Sequence, residues 1–169
     1  MDAAALRNLQ APFKERYKSD PKAALITLRA RGSIDPERIA CKVETGRALS
    51  LAGLHPAGGG SGLELCSGDM LLEALVACAG VTLKSVATAI EVPLRKGEVF
   101  AEGELDIRGT LGVDKEAPVG FAEIRLRLEV DTDAPQDRLD LLLKLTERYC
   151  VVYQTIKNGP KISVTMKRM

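Results

Sequence analysis

The sequence predicts an α+β fold, in which groups of antiparallel strands are interspersed with a few helices. Three short segments of period-2 alternation lie between residues 24 and 54, and two longer ones lie between residues 98 and 132. A long apolar segment of helical character separates the two groups. With 169 residues the chain is long enough to bury a substantial core as one domain.

The first element is an amphipathic helix over residues 3–18, where apolar side chains recur at helical spacing. The dipeptide Asp20-Pro21 ends this helix, because a residue that precedes proline avoids helical backbone angles. The three short strands follow at once, which favours an antiparallel meander. Their predicted ranges are 24–32, 38–44 and 47–54.

A long central helix follows a glycine-rich loop at residues 55–62. Ser67 is the expected capping residue, and Asp69 places an acidic side chain in the first turn, where it complements the helix dipole. The helical pattern runs to about Glu91, and Pro93 stops it. The two long strands come next, at residues 98–110 and 121–132.

A second core helix is opened by Asp133-Ala134-Pro135 and reaches Glu147, with a continuation through Cys150–Ile156 left open. Asn158-Gly159-Pro160 breaks the helical pattern, and residues 161–167 alternate as a final strand. The apolar side chains of the helix that are expected to be buried are Leu139, Leu142, Leu143 and Leu145.

Composition excludes several classes of function. The net charge of +1 disfavours nucleic acid and anionic membranes as partners. The first residues lack the basic and apolar regions of a signal peptide, and the most apolar window, residues 74–83, is shorter than a membrane span. From both features we expect a cytoplasmic protein. The four cysteines form no CxxC pair and there is one histidine, so we expect no metal site.

Cys78 and Cys150 are the residues most indicative of function, because thiols in a cytoplasmic protein stay reduced. Two such thiols on separate elements favour redox chemistry over a permanent disulfide. The alternative is that each packs as a small apolar side chain in the core. A helical wheel supports that alternative for Cys78, since its face is mostly apolar and is expected to be buried. That face comprises Leu71, Ala74, Leu75, Val81, Thr82, Ser85 and Ala89.

Three segments resemble the OsmC/Ohr family. Residues 67–83, Ser-Gly-Asp-Met-Leu-Leu-Glu-Ala-Leu-Val-Ala-Cys-Ala-Gly-Val-Thr-Leu, are similar to the central-helix motif that carries the family's peroxide-attacking cysteine. Residues 147–152, Glu-Arg-Tyr-Cys-Val-Val, resemble the helix of the second cysteine. Thr45-Gly46-Arg47 resembles the segment that precedes the central helix. The resemblance leaves residues 1–20 as an N-terminal helical extension and assigns residues 21–169 to an OsmC-like domain.

The resemblance implies an intertwined α+β homodimer with antiparallel sheets around the long cysteine helices. It also implies a thiol peroxidase, in which Cys78 attacks an organic hydroperoxide and Cys150 resolves the sulfenic acid as a disulfide. No bound cofactor is implied, only an external dithiol reductant, for which a lipoyl-type dithiol is a candidate. Arg47 is the candidate cation that activates Cys78, and Asp69 is the candidate acid of the site.

Alternatives remain for each of these roles. Arg47 is alternatively an ordinary residue on the surface of a strand. Asp69 is alternatively an acidic residue that only complements the helix dipole. Cys41 and Cys66 are interpreted as an apolar strand residue and a pre-helix residue. For the whole chain, the alternatives to a peroxidase are a non-catalytic ligand-binding or redox-sensing OsmC-like dimer and a purely structural interaction module. The apolar residues near Cys78 favour an alkyl peroxide over hydrogen peroxide as substrate.

Overall fold

The computed structural model describes residues 3–34, 41–43, 52–63 and 65–168. Its first helix, α1, spans Ala3–Ser19, which confirms the predicted helix and its end before Asp20-Pro21. A short 3₁₀ turn, Pro21–Ala24, links α1 to the first strand, and the Asp20 carboxylate accepts a hydrogen bond from the Lys22 amide at 3.2 Å. The division into a 1–20 extension and a 21–169 domain stays a prediction.

The main sheet has four antiparallel strands in the order β2-β1-β5-β6. The predicted first, second and two long strands are all present in it. The predicted end of β5 is wrong, because Asp106 leaves the strand and caps a short helix, α3 (Ile107–Thr110), by accepting the Arg108 amide at 3.0 Å. The strands span Leu25–Ile34 (β1), Cys41–Val43 (β2), Lys96–Asp106 (β5) and Phe121–Asp131 (β6).

A second, two-stranded sheet pairs β3 (Ala52–Gly53) with β4 (Leu65–Cys66) in parallel. The predicted third strand falls mostly outside the described residues, and its described part does not pair as the antiparallel meander requires. Between the two strands the glycine-rich loop folds into a 3₁₀ turn, Pro56–Gly58. The loop folds back closely, since a Cβ atom at Gly60 would lie only 1.6 Å from the carbonyl oxygen of Leu54.

The central helix α2 spans Ser67–Ala89, as predicted. The predicted serine cap is wrong, because Ser67 is the first helical residue and Cys66 occupies the N-cap position without a side-chain hydrogen bond. Asp69 does lie in the first turn. By length and composition alone α2 could cross a membrane, but core helices of soluble proteins pass the same test, and 44% of its most apolar window is buried.

The orientation of α2 about its own axis differs from the prediction. Its buried side chains face the sheet and are Leu72, Leu75, Val76, Ala79, Leu83, Val86 and Ala87. The predicted buried face around Cys78 lies largely open, with Leu71 40% and Val81 37% exposed. Because α2 is apolar on nearly all sides, the periodicity of the sequence could not select the side that meets the sheet.

We call this exposed side the open stripe of α2. Its residues follow one another at alternating spacings of four and three, the pattern by which helices pack side by side. All are exposed except Cys78, which is half-buried. The open stripe comprises Ser67, Leu71, Ala74, Cys78, Val81, Ser85 and Thr88.

Two helices follow β6, namely α4 (Gln136–Tyr149) and α5 (Val151–Asn158). The predicted helix opening before residue 136 is confirmed. The sequence leaves open whether the helix continues through Cys150. In the structure the helix breaks there, since Cys150 has extended backbone angles (φ −71°, ψ 105°) and forms the N-cap of α5. Burial of Leu142 is confirmed, whereas the expectation for Leu143 is wrong, because its side chain is 49% exposed.

The predicted final strand at residues 161–167 is absent. Residues 159–168 have no regular structure, and we call them the C-terminal tail. Their alternating apolar side chains are almost fully exposed: Ile162 79%, Val164 89% and Met166 97%. A strand requires a neighbour for its backbone N–H and C=O groups, and the tail has none among the described residues of this chain.

Candidate active site

The structure brings Cys78 and Cys150 together. Cys78 comes from the middle of α2 and Cys150 from the break between α4 and α5, and both belong to one apolar cluster. Their thiols are close enough to interact, since Cys78 contributes to the raised pKa of the Cys150 thiol, and both are free thiols. Two reduced sulfurs in contact on separate elements form a pair that can be oxidised to a disulfide.

The two thiols differ in their surroundings. Cys150 is only 1% exposed, because α2 and the start of α5 enclose it, while Cys78 is half-buried on the open stripe. A reagent that approaches along the open stripe therefore reaches Cys78 first. Cys150 is positioned to react with a group already attached to Cys78.

Burial raises the pKa of the Cys150 thiol to about 11. The pKa is also raised by a hydrogen bond that the Cys150 thiol donates towards the Cys78 sulfur and by the negative charge of a Cys78 thiolate. The backbone amides of Tyr153 and Val152 at the start of α5 lower it. The dominant cause is desolvation of the thiolate. Cys150 is consequently a neutral thiol at pH 7, able to donate its proton to a neighbouring sulfur.

The raised pKa predicts slow alkylation of Cys150 in the folded, reduced protein. At pH 8 a thiol with a pKa of about 11 is thiolate in about one molecule per thousand, so iodoacetamide should modify Cys150 more than about a hundredfold more slowly than in an unstructured peptide. The rate should rise steadily as the pH increases towards 11. Peptide mass spectrometry measures it, with the guanidinium-unfolded protein as control. Equal rates in folded and unfolded protein would contradict the prediction.

A groove of about 690 Å³ opens beside Cys150, a size suited to a small organic molecule. Leu75 and Cys150 lie on its wall, whereas Cys78 does not line it. Of the apolar residues expected around Cys78, Leu75 therefore faces the groove while Leu71 and Val81 face the open stripe. The groove's remaining lining comes from β6, α4 and α5: Phe121, Ala122, Glu123, Ile124, Leu126, Arg127, Leu128, Leu143, Thr146, Glu147, Tyr153, Ile156 and Lys157.

Asp69 lies elsewhere on α2. It precedes Cys78 by nine positions, which in a helix is about half a turn around the axis and about 13.5 Å along it. Burial raises the pKa of the Asp69 carboxyl, and the nearby His55 imidazole opposes this shift. The pKa of Glu73 is raised by burial and by the Asp69 charge. The structure thus groups Asp69 with His55 and Glu73, not with Cys78 on the same helix.

The other candidate residues are less completely described. Arg47 lies outside the described residues, so its contact with Cys78 stays a prediction. Cys41 is in β2, as expected for a strand residue. Cys66 precedes α2 as expected, half-buried against the apolar cluster that holds Cys78. Within the described ranges, no group of three His, Cys, Asp or Glu side chains is arranged to hold a metal ion.

Sequence reasoning missed the pairing of His55 with Asp69. The two residues are 14 positions apart across a glycine-rich turn, and no periodic pattern links them. The only signal was His55 itself, the single histidine of the chain, directly before Pro56 and therefore at a turn. The groove lining from α5 was also missed, because the break at Cys150 sets the direction of that helix.

Residues 58–165 match the sequence model of the OsmC-like protein family. The match covers more than half of the 169 residues and includes both Cys78 and Cys150. The chain belongs to the OsmC-like family. The resemblance drawn from the two cysteine motifs is thereby confirmed at the level of the family.

The fold of this OsmC-like protein is shared with a solved structure. The crystal structure of an OsmC-like hydroperoxide resistance protein from Jannaschia sp. CCS1 superposes with a TM-score of 0.61 at 11% identity, covering 86% of this chain and 95% of that one. No curated protein matches the chain with significance. At this identity the neighbour supports the fold alone. The predicted α+β class, with an antiparallel sheet packed on a long central helix, is confirmed.

Proposed function

We propose that this OsmC-like protein is a thiol-dependent peroxidase that reduces organic hydroperoxides to alcohols. The observation that carries the proposal is the interaction between two free thiols, Cys78 on α2 and Cys150 at the break between α4 and α5. If the two residues served only to pack the core, any small apolar side chain would suffice at each position. Two neighbouring thiols add to that packing a reversible two-electron oxidation to a disulfide.

The reaction begins at Cys78. Its thiolate attacks the distal oxygen of ROOH, the O–O bond breaks, and the alkoxide leaves as ROH after it takes up a proton. Cys78 becomes a sulfenic acid. The Cys150 sulfur then attacks the Cys78 sulfur, the sulfenic oxygen leaves as water, and a disulfide forms. An external dithiol reductant, for which we favour a lipoyl-type molecule, returns both cysteines to thiols and is itself oxidised to a disulfide.

The difference between the two thiols supports this division of roles. Cys150 is buried and its raised pKa keeps it protonated, so it is a poor first nucleophile. Cys78 is the more accessible of the pair. The Cys150 proton is also available to the sulfenic oxygen, which must leave as water when the disulfide forms.

An apolar environment supports an organic substrate. Leu71 and Val81 border Cys78 on the open stripe, and Leu75 continues the apolar surface into the groove beside Cys150. Alkyl groups gain about 25 cal/mol for every Å² of apolar surface that they bury, a contribution that hydrogen peroxide cannot make. We propose that an alkyl or fatty hydroperoxide is the substrate, with the protein acting in the cytoplasm against oxidative stress.

We propose that the working unit is an intertwined homodimer. Two unpartnered features support it: the open stripe of α2, which carries Cys78, and the apolar face of the C-terminal tail. β6 is an end strand of the described sheet, so one of its edges has backbone groups free to pair with the tail of a second copy. Packing of the second copy beside the open stripe would place Cys78 in an apolar recess that a hydroperoxide can still enter. In this dimer Arg47 remains our proposed activating cation. Asp69 remains our proposed acid of the site, although within one chain it lies about 13.5 Å along α2 from Cys78.

A second candidate function is a redox-sensing or ligand-binding dimer without turnover. The raised pKa of Cys150 favours it, because a resolving thiol that is seldom deprotonated forms the disulfide slowly. Such a protein would be oxidised once and would remain oxidised, and the groove would hold a ligand in place of a substrate.

Stopped-flow measurement with the reduced protein tests the peroxidase. Cumene hydroperoxide should oxidise it at least about a hundredfold faster than it oxidises a free thiol such as N-acetylcysteine, and hydrogen peroxide should be slower. Mass spectrometry should find one Cys78–Cys150 disulfide for each peroxide consumed. Oxidation no faster than that of the free thiol overturns the peroxidase. Oxidation of Cys78 by peroxide followed by slow disulfide formation, without multiple turnovers in excess dithiol, supports the sensor.

A further inference from the structure

The helix α1 lies outside the segment that matches the OsmC-like family, yet it is attached to the loop that leads into α2. Tyr17 is 2% exposed and packs in a cluster with Ala24, Ile107 and Leu111. Its hydroxyl crosses to the glycine-rich loop and donates a hydrogen bond to the carbonyl oxygen of Ala57 at 2.5 Å. A buried hydroxyl with one partner fixes that partner's position.

The backbone amide of Ala57, at the other end of this residue, is held by His55. The Ala57 amide donates to Nδ1 of the His55 ring at 3.0 Å, while the backbone amides of Gly58 and Gly60 donate to the His55 carbonyl at 2.8 and 3.1 Å. The turn is therefore fixed at the Ala57 carbonyl by Tyr17 and at the Ala57 amide by the His55 ring. With Nδ1 accepting, a neutral His55 carries its proton on Nε2.

His55 also lies near Asp69. Its imidazole lowers the pKa of the Asp69 carboxyl against the effect of burial. Glu73, one turn further along α2, also interacts with Asp69, whose charge raises the Glu73 pKa. Hydrogen bonds thus connect α1 to the Ala57 turn, and the electrostatic interaction of His55 with Asp69 connects that turn to the first turn of the cysteine helix.

We propose that α1 positions the start of α2: Tyr17 holds the Ala57 turn, and the turn orients the His55 ring against Asp69. Tyr17 and His55 are positioning residues, since neither touches Cys78 in the described contacts. The inference rests on the proposed function in one respect, namely that Asp69 serves as the acid of the peroxidase site. Its physical content, a defined ring orientation and tautomer of His55, is independent of peroxidase activity.

The single histidine of the chain makes the test specific. In ¹⁵N-histidine-labelled protein at pH 8, two-dimensional ¹H–¹⁵N NMR should show one imidazole, with an accepting Nδ1 and a protonated Nε2. Tyr17→Phe removes only the hydroxyl. It should convert this spectrum towards the mixed tautomers of a free imidazole and speed hydrogen exchange of the Ala57 amide about tenfold. The Asp69 carboxyl should titrate at higher pH, because the opposing imidazole is displaced.

Tyr149→Phe is the matched control, since Tyr149 is 57% exposed on α4 and loses the same hydroxyl. It should leave the His55 spectrum and the Ala57 exchange rate unchanged. An unchanged His55 spectrum in Tyr17→Phe, or an equal change in both variants, overturns the inference. A wild-type protein that gives the expected spectra but consumes no peroxide overturns the proposed peroxidase and leaves the positioning role intact.

Discussion

Replacing Cys78 by serine is expected to lower the rate of cumene hydroperoxide consumption at least about a thousandfold, because a serine hydroxyl is hardly ionised at neutral pH and cannot form the sulfenic acid. The substitution changes one atom at a half-buried position, so the fold should be retained. Circular dichroism checks that retention, and a peroxide-specific colorimetric assay measures the rate. Cys66→Ser is the matched control, as Cys66 is another half-buried cysteine of the same apolar cluster.

Cys150→Ser separates the two roles. Its first reaction with peroxide should remain fast, while the Cys78 sulfenic acid accumulates and can be trapped by dimedone and located by mass spectrometry. Turnover in the presence of a dithiol should then become slow. Full activity in Cys78→Ser would refute the proposed mechanism. Loss of the first reaction in Cys150→Ser, with its retention in Cys78→Ser, would mean that the roles of the two thiols are exchanged.

The meeting of Cys78 with Cys150 could be predicted only through the family resemblance. Each cysteine fits a helical pattern, and 71 residues separate them. Their contact depends on the break at Cys150, where the backbone becomes extended between α4 and α5. Tyr149 and Val151 beside it carry none of the signals that glycine or proline would give. The local sequence therefore carries no readable signal for the break.

Elements that have one apolar face and one polar face were predicted well. β6 alternates apolar and charged residues along its whole length, and its predicted range of 121–132 differs by one residue from Phe121–Asp131. β5 was predicted too long, because the cap that Asp106 gives to α3 depends on a hydrogen bond rather than on periodicity. For α2 the existence and limits of the helix were predictable. Its orientation was not, since nearly all of its faces are apolar.

The same reasoning explains the C-terminal tail. Its period-2 pattern predicts a strand, and residues 3–34, 41–43, 52–63 and 65–158 supply no partner for one. The homodimer that we propose resolves this disagreement. It assigns the tail to the free edge of β6 in the second copy and buries its three apolar side chains.

Removing that apolar face is expected to convert the dimer to a monomer. The triple substitution Ile162→Thr, Val164→Thr and Met166→Thr keeps the strand preference of the tail and removes most of its apolar surface. At about 1 kcal/mol for each substitution, six sites in a symmetric dimer lose about 6 kcal/mol, which raises the dissociation constant by about four orders of magnitude. Sedimentation velocity at micromolar concentration measures the change.

The opposite face of the tail supplies the control. Lys161→Thr, Ser163→Thr and Lys167→Thr introduce the same three threonines at alternate positions, and this variant should remain a dimer. A wild-type protein that sediments as a monomer would contradict the dimer itself. If both triple variants remain dimeric, the tail is not part of the interface, and the open stripe of α2 alone must hold the two copies together. Because that stripe carries Cys78, the monomeric variant should also lose peroxidase activity, as its thiol would be exposed to water without the apolar enclosure that favours an organic peroxide.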